Sequence, residues 1–186
     1  MSFVINGERF DDRLIEDELA YLKKHYGEKL SEEEYLKIAG NLLALARENV
    51  VVRILFEAKT LEADPVIEFG EIQEEFKKMI DSFGGFAAFY ERFDKSEADH
   101  QDLMENIEKS LKVEHFIQSI CGEIKVTAEE VIGETKRLRD EGLSFQDADA
   151  ETIRRSVEKI VRERKKNQIL KNYKSDLRKK AVVSFL

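Results

Sequence analysis

Three histidines (His25, His100 and His115) and one cysteine (Cys121) are the side chains best suited to metal or nucleophilic chemistry in this chain. Glu97-Ala98-Asp99-His100 has the E-x-x-H spacing that puts a carboxylate and an imidazole on one helix face, as in carboxylate-bridged metal centres of helical bundles. Such a centre needs a second E-x-x-H and two further Glu on facing helices, and no second match exists. H-E-x-x-H, G-x-S-x-G and a phosphate-binding glycine loop are all missing. Gly84-Gly85 reads as a helix break, and acid pairs such as Glu74-Glu75 read as solvated faces. A lone thiol makes neither an internal disulfide nor a Cys-based zinc site, and Ile120 and Ile124 suit Cys121 to a buried apolar role. No nucleophile, base and orienting group come together, so the expectation is a protein that is not an enzyme, with no catalytic residue, metal or cofactor.

One group could bind rather than react. Phe83, Phe86, Phe89, Tyr90 and Phe93 crowd eleven positions. Apolar residues at helical spacing ordinarily pack inward, so plain core is one reading. The other is an aromatic-lined groove that takes peptide segments.

The composition sets limits on both. Apolar residues make up 42% and charged residues 38%, with one Pro (Pro65) and no Trp. That is too apolar for a disordered chain, and its Glu, Lys, Leu, Ala and Arg favour long helices. No stretch approaches the ~20 apolar residues of a membrane span. Met1 to Glu8 has no basic or long apolar leader segment, which reads as cytoplasmic, or as periplasmic if a leader has been removed. The net charge is −8, yet Arg154 to Lys180 carries 12 Lys and Arg against 3 Asp and Glu. A basic helix attracted to an acidic body, or simply solvated, accounts for this better than a nucleic-acid contact.

The elements that position these residues can be read from their periodicity. Phe3-Val4-Ile5 is a short β-type run and Asn6-Gly7 a turn. A helix follows from about residue 11 or 12 to Tyr26, closed by Gly27. Ser31-Glu32-Glu33-Glu34 is a capping box, opening a helix expected to reach Ala63, apolar nearly all round and therefore central. Asp64-Pro65 breaks the chain. Helices are expected over Glu71 to Phe83, through the aromatic group, and from about residue 95 or 96 to Cys121. Thr127-Ala128-Glu129-Glu130 is a second capping box, for a helix to Asp140. A final helix spans about Glu151 to Lys180. Its apolar residues change face midway, so it either touches two surfaces or breaks near residue 167. Val182 to Leu186 is a β-type run that can pair with Phe3-Val4-Ile5 and join the termini.

Several segments resemble one family in the same order. Val4-Ile5-Asn6-Gly7-Glu8 is similar to the "V-N-G-E" opening of SurA-type chaperone N-terminal domains. Ile54-Leu55-Phe56-Glu57-Ala58, Phe83-Gly84-Gly85-Phe86 with Phe89, Leu111 to Ile117, Val126 to Val131 and Leu177 to Val183 resemble the segments that follow. Between Glu141 and Glu151 that architecture usually carries a parvulin prolyl isomerase domain; here there is a short loop. The resemblance implies a peptide-binding chaperone module without isomerase activity.

The expected fold is all-α: a multi-helix domain like the SurA N-terminal domain, with a long C-terminal helix and a small strand pair joining the termini. The expected organisation is one domain over 1–186, with a helical body at 1–141, a loop at 142–150 and a returning helix and strand at 151–186. The expected partners are unfolded or extended polypeptide clients, with self-association into a homodimer as a further reading and neither nucleic acid nor membrane. The alternative function is a dedicated interaction or scaffold protein for one partner, using the outer side of the last helix.

Overall fold

In the computed structural model the backbone is described for residues 2–92, 97–143 and 149–186, and side chains for the same residues except 92 and 97–100. Among the described residues the fold is helical with one small sheet: β1 (Ser2–Ile5), β2 (Glu8–Asp11), α1 (Arg13–Lys29), α2 (Glu32–Ala39), α3 (Leu42–Ala63), α4 (Phe69–Ser82), α5 (Phe86–Arg92), α6 (Glu97–Cys121), α7 (Ala128–Asp140), α8 (Ala150–Lys180) and β3 (Val183–Phe185). No described helix is long and apolar enough to cross a membrane.

The residues group into two compact units. The first comprises Met1–Glu62 with Asn172–Leu186, and the second comprises Ala63–Lys171. In the first, the two ends of the chain meet in an antiparallel sheet of order β2-β1-β3, with Phe3 opposite Phe185 and Ile5 opposite Val183. That is the expected pairing of the termini, with an unexpected third strand. Asn6 and Gly7 both take positive φ, the backbone of a tight two-residue hairpin. This hairpin turns the chain back into β2 before α1 begins. Glu8-Arg9-Phe10-Asp11 has one apolar residue and so hides its strand character; Phe10 stacks on Phe3 with centroids 5.5 Å apart.

One face of the sheet packs against α1 and α3. Phe3, Ile5, Ile15, Leu22, Leu42, Ala46, Val50, Val51 and Leu55 form this core, flanked by Leu177 and Ala181 of α8. The expectation of one helix from Ser31 to Ala63 is corrected. Ser31 caps α2 as read, accepting from the Glu34 backbone N–H, but the helix ends at Ala39 and α3 starts at Leu42. The Gly40-Asn41 corner lets Tyr35 and Ile38 reach the same core as α3. Nor is α3 buried on all sides: Leu43, Leu45 and Leu61 lie exposed. Gly27, expected to close α1, lies within it.

In the second unit α4 packs on α5 and α6, and Ile80, Phe89, Ile107 and Phe116 of these helices are buried. A separate small core joins Leu138 of α7 to Val157 and Val161 of α8, with Val126, Val131 and Ile153 packed against it. Helix α8 does not break near residue 167. Its change of apolar face supplies Val157 and Val161 to this core and Leu177 and Ala181 to that of the first unit.

Candidate peptide-binding surface

Two features of the second unit present apolar side chains. The first is the aromatic group. Gly84 and Gly85, both at positive φ, turn the chain sharply between α4 and α5. This turn brings Phe83 and Phe76 edge-on to Phe89, at 5.7 and 5.8 Å between centroids. Phe89 is fully buried, so it presents no surface to a ligand. Phe83 and Tyr90 are half-buried. Phe86 is 61% exposed and stacks on Tyr90 at 6.0 Å. Phe93 lies outside the described residues. The structure therefore brings four of the five residues together, as a core plug with one exposed edge at Phe86 and Tyr90. The Glu97 to His100 motif also falls where side chains are not described. Among the described residues no three His, Cys, Asp or Glu side chains come close enough to share a metal ion.

The second feature has no counterpart in the sequence reading. Helix α7, opened by Thr127 accepting from the Glu130 backbone N–H, lies beside the first turns of α8. Between them is an open cleft of about 730 Å³. Its apolar wall is Val126, Ala128, Val131, Ile132, Ala150 and Ile153, and Lys136, Arg139, Asp140, Arg154 and Glu158 border it. Ile132 is 69% exposed. Only a weak trace of this was readable beforehand: Val131 and Ile132 are adjacent, and a helix that buries one turns the other outward.

Below the cleft, α7 is tied to α8 by charge. Glu134 is 3% exposed and takes a guanidinium nitrogen of Arg137 at 2.6 Å and another from Arg164 across the helix pair. The Arg137 hydrogen bond, then that of Arg164, holds the Glu134 carboxyl below its ordinary range despite burial. One turn earlier, Lys165 Nζ meets Glu130 at 2.6 Å and donates to the Lys125 carbonyl. Lys165 and the Thr127 backbone N–H hold Glu130 low in turn. Elsewhere on α8, Arg154 and Arg155 pair with Glu151, Arg162 with Glu158 and Arg178 with Glu48. Part of the basic run of the last helix thus finds acidic partners, on α7, on α3 and on α8 itself.

Comparisons with models of known protein families, with curated proteins and with solved structures find no match to this chain.

Proposed function

We propose that this chain is a polypeptide-holding chaperone module of the SurA type, without prolyl isomerase activity, whose client surface is the α7/α8 cleft. The observation that carries the reading is the exposed apolar wall around Ile132, bordered by charges of both signs. An extended segment can lay apolar side chains on that wall while its backbone stays near polar groups at the rim. Phe86 and Tyr90 offer a second, smaller apolar contact on the same unit. The nine residues between Asp140 and Ala150 leave no room for an inserted catalytic domain, which supports holding over isomerisation.

The magnitudes suit transient holding. Burying ~300 Å² of client apolar surface is worth about 7.5 kcal/mol at ~25 cal/mol per Å², against about 4–15 kcal/mol of lost freedom on association. Affinity is therefore weak and release is fast. The test is suppression of aggregation of a denatured model protein by a several-fold molar excess of the chain. Ile132→Asp is expected to abolish most of the suppression while leaving the circular dichroism of the fold unchanged; Phe86→Ser is expected to weaken it less. Absence of suppression by the unaltered chain would sink the reading.

A further inference from the structure

Among the described residues no further strand pairs with β2 or β3, the two edges of the sheet, and the edges are built differently. In the antiparallel β1/β3 pair, Asn6 N–H donates to the Val182 carbonyl at 2.9 Å and Leu186 N–H to the Ser2 carbonyl at 3.0 Å. Strand alternation then points the Val182, Ser184 and Leu186 backbone groups at β1, and those of Val183 and Phe185 outward. The other edge, β2, carries Arg9 and Asp11, charges of the kind that blunt an edge. Ala181 to Leu186 contains no charged side chain and no proline. Phe185 is held on the core face, 6.0 Å from Phe3 and under the Arg47 guanidinium at 4.6 Å, so this strand without charged side chains is presented in a fixed register.

The side chains on its outer face are symmetric about Ser184. Val182 is 76% exposed and Leu186 68%. We propose that β3 pairs antiparallel with β3 of a second copy of this chain, about a two-fold axis through Ser184, extending the sheet across a homodimer. In that register Val183 of each copy faces Phe185 of the other, and the two exchange the outward backbone hydrogen bonds. Val182 of each packs on Leu186 of the other, covering the most exposed apolar side chains of the strand. The arrangement is isologous, so it closes at two copies and leaves no further β3 edge open. A client segment is the competing occupant, but only a second copy makes both apolar pairs from the same two residues.

The register can be tested without disturbing the fold, because Ser184 is exposed. Sedimentation equilibrium of the full chain over rising concentration should show a reversible monomer–dimer transition. Ser184→Lys and Ser184→Glu each place like charges opposite one another across the axis, and each should raise the dissociation constant about tenfold. Mixed in equal amounts, the two variants should associate again, because the charges across the axis are then opposite. Val183→Pro removes an outward donor that the β1/β3 pair does not use, while trimming the packing of Val183 on the core, and should weaken the dimer similarly with the helical circular dichroism retained. A monomeric mass at every concentration overturns the proposal. So does a dimer indifferent to these substitutions, or a Lys/Glu mixture no more associated than its components. Aggregation suppression is a separate measurement, and its outcome leaves this one unaffected.

Discussion

Glu134 shows how one side chain can set the energetics around it. Its carboxylate sits almost out of water, with guanidinium nitrogens of Arg137 and Arg164 at its two oxygens. Both arginines keep roughly half their surface in solvent, so removing the acid does not strand two buried cations. The loss is that of charge-assisted hydrogen bonds, and Glu134→Ala is expected to cost about 1.5–3 kcal/mol in denaturant unfolding. The pH dependence has a fixed sign. A carboxyl whose folded pKa lies below its unfolded value of about 4.3 stabilises the fold above that pH, and loses the effect as pH falls through the folded value. The stability gap between the unaltered chain and Glu134→Gln should therefore be full at pH 7 and narrow below about pH 4.3. A gap constant with pH would show that the charge is not what matters. The residue scale also separates Phe89 from Phe86: neighbours in one aromatic group, the first is core and the second surface.

At the scale of elements, the corner between α2 and α3 is the clearest case of geometry overriding pattern. The apolar periodicity runs on from Tyr35 into Leu45 without a visible break. The break lets residues on both sides pack on one core, which a straight helix of that length does not allow. Gly40 itself keeps helical dihedrals, and a Cβ there would meet nothing within 4 Å. Glycine is thus not needed for its conformation. Gly40→Ala is expected to raise stability by about 0.4–1 kcal/mol, by narrowing the unfolded ensemble, with a higher thermal midpoint as the readout. If instead the substitution destabilises, the corner depends on glycine in a way that the local dihedrals do not reveal. The α7/α8 pair is an element-scale feature of another kind. Its helices were legible from Thr127-Ala128-Glu129-Glu130 and from the periodicity of Ile153, Val157 and Val161. The cleft between them was not, because its size depends on how two helices diverge.

At the scale of the whole molecule, the first unit depends on both ends of the chain. Residues 172–186 supply β3 and the Leu177 and Ala181 contacts to the core around Val50, while the core around Val161 takes nothing from them. Deleting 172–186 is expected to strip hydrogen-exchange protection from β1 and α1 to α3, and to leave α7 and the start of α8 protected. Equal loss throughout would mean that the two units fold as one. Helical content, both Ser and Thr capping boxes, the stop at Asp64-Pro65 and the pairing of Phe3-Val4-Ile5 with the last strand were all determined by the sequence alone. The caps and the stop rest on local backbone chemistry, which neighbours in the chain specify; the strand pairing was legible because each end of the chain is a β-type apolar run that needs a partner strand. Tertiary structure alone decided that α3 is buried on one side, that Phe89 is plugged while Phe86 is bare, that Glu134 gathers Arg137 and Arg164, and that a cleft opens beside Ile132. Those depend on how elements pack against one another, and periodicity records which face of an element is apolar, not what covers it.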